Sequence, residues 1–199
     1  LHVIARHENL CKSIHLPIQS GASSMLKRMN RGYSREWYLE RIAAIKRILP
    51  NCALSTDIIT GFCGETEQEH LETMSILKEV GFIMAYNFKY SERPRTLAER
   101  KFEDDVPEEV KSARLTEIIK HQRSYASVLI QAMVGKVYRV LVEGVSKKST
   151  ENFYGRTTHN IVIIFDKGDL SLCDYVNVRA LYCTSATLKG EVTTDKADA

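Results

Sequence analysis

Two stretches set the fold of this chain. One is Ile14-His15-Leu16-Pro17-Ile18-Gln19-Ser20-Gly21; the other is Thr56-Asp57-Ile58-Ile59-Thr60-Gly61-Phe62-Cys63-Gly64-Glu65-Thr66. Each reads as a β-strand that stops at a polar, glycine-bearing turn and feeds a helix. Ligands in α/β folds bind where strands end, so these turns are the first place to look for chemistry.

The segments between them fit the same plan. A strand over about residues 13–18 puts Ile14, Leu16 and Ile18 on one face, and His15 and Gln19 on the other. A parallel strand buried on both faces is apolar throughout, so the polar face points to a barrel interior that lines a cavity. A short helix from Ser23 to Met29 breaks at Asn30-Arg31-Gly32. Ser34 is placed to cap a helix carrying Tyr38, Ile42, Ile45 and Leu49, which Pro50-Asn51 ends. A second strand, about 52–60, presents Ser55, Asp57 and Ile59 on one side. Thr66 and Glu69 predict a capping box for a third helix with Leu71, Met74 and Leu77 in register, closed by Gly81. A third strand, about 84–90, carries Tyr86, Phe88 and Tyr90. This β-α-β-α-β order with short loops is the pattern of a parallel sheet or barrel segment.

After Tyr90 the chain is charged, with a helical turn expected near Leu97. Pro107 suits the first turn of a long helix, about 107–133, whose stripe is Leu115, Ile118, Ile119, Tyr125, Ala126, Leu129 and Met133. That helix reads as a brace and ends at Gly135. Five short strands follow: Val137–Glu143, Phe153–Arg156, Ile161–Phe165, Tyr175–Ala180 and Ala186–Glu191. Many short strands with regular turns predict a small antiparallel barrel. The expected domains are residues 1–132 and 133–199.

Several classes of function are set aside. No apolar run is long enough to span a bilayer, and no membrane partner is expected. The five cysteines, Cys11, Cys52, Cys63, Cys173 and Cys183, include no pair two or three residues apart. No zinc or iron–sulfur ligand set is therefore readable, and a reduced, cytoplasmic protein is expected. No Ser–His–Asp or Cys–His arrangement is suggested, and no catalytic acid–base pair can be named. A net charge of +3 does not by itself argue for nucleic acid. Leu1-His2-Val3-Ile4-Ala5 reads as the end of an amphipathic helix, so a fragment or a processed chain is expected.

The first two stretches, with Met29-Asn30-Arg31-Gly32-Tyr33 and Tyr90-Ser91-Glu92-Arg93-Pro94, resemble the C-terminal half of the radical-SAM methylthiotransferases. The small barrel, with Gly155-Arg156-Thr157, Gly168-Asp169 and Leu188-Lys189-Gly190-Glu191, resembles their TRAM domain. Val142-Glu143-Gly144-Val145-Ser146-Lys147-Lys148 and the Ser-Glu-Arg-Pro turn favour the tRNA branch, which adds a methylthio group to N6-isopentenyladenosine next to the anticodon. The sequence departs from the family in two places: Cys63 stands where Pro is common, and Arg95 where Gly is common, which argues against a positive φ at that turn. Cys63 reads as a substitution, not a cluster ligand.

The resemblance implies half of a partial (β/α) barrel followed by a small OB-like antiparallel barrel. It implies S-adenosylmethionine and two [4Fe-4S] clusters in the parent enzyme. One S-adenosylmethionine yields a 5′-deoxyadenosyl radical and another the methyl group. The family's cluster-binding cysteine sets are not in the 199 residues, so the chain alone is expected to be inactive, with no catalytic or metal-binding residue. Gln19 and Ser20 are the expected cofactor contacts, with Gly21 letting backbone approach a ligand. Ile59, Gly61 and Phe62 are expected to pack on the adenine ring. Glu65, at a helix N-terminus, is explained by the helix dipole. His15, Asp57 and Arg93 are the expected substrate contacts. Lys136, Lys147, Lys148 and Arg156 are the expected RNA contacts, with Tyr138, Phe153 and Tyr154 interleaved for bases. The expected partners are tRNA, the missing N-terminal domains of the same chain, and a second copy through the open barrel edge. Two alternatives are an RNA-binding module without catalysis and a ribosomal-protein methylthiotransferase relative.

Overall fold

The alternation in residues 52–60 becomes β2 (Ala53–Thr60), the middle strand of a sheet ordered β1-β2-β3, with β1 at Ser13–His15 and β3 at Met84–Lys89. The computed structural model describes residues 1–184 and 187–198. They form two compact units. A sheet unit comprises Ile14–Pro50 and Leu54–Arg123; a barrel unit comprises Leu1–Ser13, Asn51–Ala53 and the residues from Ser124 onward. Among the described residues no helix is long and apolar enough to cross a membrane.

In the sheet unit, β2 and β3 run parallel, with Asp57 opposite Tyr86 and Ile59 opposite Phe88. β1 is shorter than expected. Pro17 has no N–H to give, and Gln19 adopts a left-handed φ of +75°, so regular pairing stops and resumes only as one parallel bridge to Ile58. Helices α2 (Ser23–Arg28), α3 (Arg35–Ile48) and α4 (Glu67–Val80) follow the strands as their patterns predict. Ser34 caps α3, Thr66 and Glu69 form the capping box of α4, and Gly81 closes α4 at φ +72°. Leu71 is the exception in α4: it is exposed, and the buried stripe is instead Thr73, Met74, Ile76, Leu77 and Val80.

These helices bury Met25, Leu26, Tyr38, Ile42, Ile45, Ile76 and Leu77 with Leu54 and Ile58 of β2. The alternate positions of the sheet stay open: Tyr86 and Phe88 are about half exposed, beside Ser55, Asp57 and Ile59. A short α5 (Leu97–Lys101) and a long α6 (Glu108–Gln131) complete the helices that follow β3. The buried face of α6 differs from the apolar stripe expected of it. Lys111, Arg114, Ile118 and Gln122 are its least exposed positions before Arg123, and Gln122 donates to the Phe82 carbonyl at 2.8 Å.

In the barrel unit, a short α1 (His2–Arg6) precedes the five strands β4 (Val137–Val145), β5 (Asn152–Thr157), β6 (Val162–Asp166), β7 (Tyr175–Cys183) and β8 (Leu188–Val192). The strands close in the order β4-β5-β6-β8-β7. Four of the pairings are antiparallel and one, β6 with β8, is parallel. The last strand begins at Leu188; Ala186, where it was expected to start, lies outside the described residues. Val140, Val142, Phe153, Ile163, Phe165, Val178 and Leu188 fill the interior. Two strands pass so closely at Gly155 that a Cβ there would lie 2.1 Å from the Leu141 carbonyl oxygen.

Candidate functional site

The strand ends of the sheet unit surround a cleft of about 430 Å³, with Gln19, Asp57, Ile59, Phe88, Tyr90 and Arg93 in its wall. Four residues expected from the sequence to bind cofactor or substrate therefore meet there, from three separate segments. Two of the segments carry a left-handed backbone on a non-glycine residue, which costs about 1–2 kcal/mol. Gln19 is held in that state by its N–H on the Asp57 carbonyl and its own carbonyl on the Ile59 N–H, both at 2.9 Å. Arg95 takes φ +68° in the turn between Arg93 and Thr96. The left-handed state that the family's glycine favours is thus adopted here by arginine, whose N–H is anchored on Glu99 Oε2 at 2.7 Å.

His15 lies on the same open sheet face but outside the cleft wall. Its Nδ1 is 3.0 Å from Ser55 Oγ and its Nε2 is 3.5 Å from Asp57 Oδ1, with the Tyr86 ring edge-on at 5.9 Å. It orients the carboxylate that reaches the cleft. The Tyr90 hydroxyl is buried, its pKa pushed up to about 12 by burial and by the Cys63 thiol beside it.

Three expected cofactor contacts are committed elsewhere. Ser20 is fully buried, with Oγ 3.2 Å from Thr73 Oγ1 on α4. Gly21 beside it admits α4, not a ligand: a Cβ there would lie 2.4 Å from the Glu72 carbonyl oxygen. Gly61 has φ +73°, and the space where its side chain would stand holds Lys111, whose Cγ lies 2.3 Å from the site of a Cβ. Phe62 is 6% exposed and packs edge-on against Tyr90 and Phe102, at 4.8 and 6.1 Å between ring centroids. Of Ile59, Gly61 and Phe62, only the Ile59 side chain reaches the cleft.

The second turn is organised by Glu65 together with residues of α6 that sequence reasoning passed over. The Glu65 carboxylate accepts from the Gly61 N–H at 2.7 Å and from the Thr60 hydroxyl at 3.3 Å. Arg114 of α6 donates to the same carboxylate and to the Glu65 carbonyl, both at 3.0 Å, and to Glu67 at 3.1 Å. Glu65 is thus the hub of a buried network, a larger role than the helix dipole alone gives it. One turn earlier on α6, Lys111 pairs with Asp104 at 2.6 Å and stands 5.3 Å from the Tyr90 ring centre. The signal was present as polar residues at 111, 114 and 122 in helical phase with Ile118.

In the barrel unit the four expected RNA contacts are exposed but do not cluster. Lys136 precedes the first residue of β4, Lys147 and Lys148 follow its last, and Arg156 is on β5. Arg156 is tied to Glu143 at 3.3 Å and to Asn160 at 3.0 Å. Two of the interleaved aromatics are not free to stack on bases: Tyr138 and Phe153 are 6% and 3% exposed, because they share the inward phase of the barrel strands. Tyr154 is half-buried across Gly144, where a Cβ would lie 2.8 Å from its ring.

Comparison with known proteins adds to this geometry. Residues 2–77 match the model of the Radical SAM superfamily, and residues 131–193 that of the TRAM domain. A tRNA-2-methylthio-N(6)-dimethylallyladenosine synthase of Bacteroides thetaiotaomicron is 54% identical over 191 residues, 96% of this chain and 42% of that relative. Proteins of the same name from Parabacteroides distasonis and Chloroherpeton thalassium are 51% and 48% identical, again over 96% of this chain and 42% of theirs. The chain therefore spans less than half the length of these curated relatives. Coproporphyrinogen III oxidase (HemN) from Escherichia coli, described as a radical SAM enzyme, superposes with a TM-score of 0.50 at 16% identity, covering 74% of this chain and 41% of that one. That likeness is one of fold, and it makes the open sheet part of a partial (β/α) barrel.

Proposed function

We infer, from a chain that belongs to the radical SAM superfamily and carries a TRAM domain, that its cleft is one wall of the S-adenosylmethionine site of a tRNA methylthiotransferase. The product is the one in the relatives' names, a tRNA bearing 2-methylthio-N(6)-dimethylallyladenosine. The barrel unit binds the tRNA, the remainder of the catalytic machinery belongs to the whole protein, and the reaction takes place in the cytoplasm.

The observation that carries this reading is the convergence of Gln19, Asp57, Ile59 and Arg93 on one cleft at the strand ends. The residues fit the cofactor. The volume is that of a small-molecule site, with apolar surface from Ile59 and Phe88 and a few convergent polar groups. Gln19 offers hydrogen bonds to the adenosyl part. Asp57, fixed by His15, offers a carboxylate to a hydroxyl or ammonium group. Arg93 offers positive charge at the mouth. When bound, S-adenosylmethionine supplies a hydrogen-abstracting radical and a methyl group; the protein orients it. Two [4Fe-4S] clusters belong to this reading of the whole protein, but the residues here do not fit one. Among the described residues no group of three or more His, Cys, Asp or Glu side chains could hold a metal. That the 199 residues alone are inactive is part of this proposal.

Equilibrium dialysis of labelled S-adenosylmethionine against this chain tests the site. Saturable binding is expected, weakened at least about tenfold by Ile59→Asp, which places a charge on the apolar wall. Ile59→Val serves as the folded control and retains binding. Binding indifferent to Ile59→Asp overturns the assignment.

A further inference from the structure

The outer face of the barrel carries a residue pattern that the four dispersed basic positions do not explain. β4 and β7 pair with Leu141 opposite Tyr175 and Arg139 opposite Asn177, and β4 and β5 pair with Leu141 opposite Arg156. Tyr175, Leu141 and Arg156 thus form one row across three neighbouring strands. They are in outward phase, since Val140, Val142 and Val178 hold the inward positions. Arg139 is diagonal to Tyr175, where cross-strand side chains still touch. Its guanidinium carbon stands 4.7 Å from the centre of the Tyr175 ring.

Two features of this group are unusual for a merely solvated surface. Tyr175 is 62% exposed, a large ring left in water. Arg139 also has no carboxylate within ion-pair distance among the described residues, whereas Arg156 meets Glu143 and Arg179 meets Asp195. An aromatic face braced by a guanidinium without an acidic partner is complementary to an unpaired base and its phosphate.

We propose that the outer face of β7, β4 and β5 is a docking surface for single-stranded RNA. Tyr175 is the platform on which a base stacks, and Arg139 is the phosphate contact; Arg156, held by Glu143, borders the row. The proposal rests on the RNA-binding reading of the barrel and moves the centre of binding from the Lys147-Lys148 turn to this strand face.

The test is fluorescence anisotropy of a labelled anticodon stem-loop RNA titrated with the 199-residue chain, from about 50 to about 200 mM salt. Tyr175→Ala is expected to weaken binding about tenfold with the salt slope unchanged, because stacking releases no counterions. Tyr175→Phe keeps affinity within about twofold, since the ring and not the hydroxyl is used. Arg139→Gln weakens binding and lowers the slope of log affinity against log salt by about one. Wild-type affinity in Tyr175→Ala overturns the proposal, as does a Tyr175→Phe variant that fails as badly as Ala. Loss confined to Lys147→Ala/Lys148→Ala overturns this surface and leaves the RNA reading standing. A chain that binds no RNA at the lowest salt overturns that reading itself.

Discussion

Replacing Arg114 by Met removes the cation from the hub of the second turn. The Glu65 side chain is 1% exposed and that of Arg114 8% exposed, so the pair lies out of water. Losing one partner of a buried pair costs about 3–5 kcal/mol, because the other charge stays desolvated. Glu65 would keep the Gly61 N–H and the Thr60 hydroxyl as donors. These two bonds place the expected loss near the lower end, at about 3 kcal/mol. Trp37 is the only tryptophan in the chain and sits on α3, stacked on Tyr33, so its fluorescence follows the sheet unit. With a urea dependence of about 2 kcal/mol per molar, the midpoint falls by about 1.5 M. The double variant Glu65→Gln/Arg114→Met removes both charges and recovers most of that loss, since Gln can still accept from Gly61. A shift below about 0.5 M for Arg114→Met would equal what an exposed ion pair is worth, and the claim that α6 locks this turn would fall.

Two other outcomes follow from local geometry. Burial pushes the Glu69 carboxyl up, but hydrogen bonds from Ser24 and Thr66 and the Arg28 guanidinium outweigh it and hold the carboxyl below its ordinary 4.5. Its contribution to stability is present above that value and is lost as pH falls through the lower folded one, so the Trp37-reported midpoint drops in acid. Glu69→Gln flattens that drop, and an unchanged acid profile in the variant refutes the assignment. Gly155→Ala puts a methyl 2.1 Å from the Leu141 carbonyl oxygen and 2.5 Å from Val140 Cγ1, forcing β4 from β5. A loss of about 3 kcal/mol is expected from such overpacking, read as faster amide exchange in those two strands. Unaltered protection there contradicts the close approach.

Features encoded within a few residues of each other were legible in the sequence. Ser34, the Thr66–Glu69 box and Gly81 act through bonds three or four residues long, and each does what its local pattern predicts. Strand alternation placed Asp57 and Ile59 on the open face for the same reason. Features that depend on distant packing were not. Gly61 reads as a turn glycine, but the Lys111 side chain that occupies its space is fifty residues away in the chain. Lys111 and Arg114 were passed over because buried cations break the apolar stripe that marks a helix's inner face. Tyr138 was read as a stacking residue because it stands between basic neighbours; its phase with Val140 and Val142 places it inside. The same phase rule marks Tyr175 as an outward residue. Some site residues were therefore legible only when strand phase was weighed above composition.

The bonds from Arg114 to Glu65 span 49 residues of sequence, and this separation has a meaning in time. A ribosome adding about 5–20 residues per second makes Glu65 roughly 2 to 10 seconds before its partner arginine exists. Within that interval the residues of the α4 capping box are made, while the carboxylate at the turn still lacks Arg114. The turn after β2 thus matures later than the strand that leads into it. A nascent chain stalled before α6 would carry a folded start of the sheet and an unfinished ligand turn.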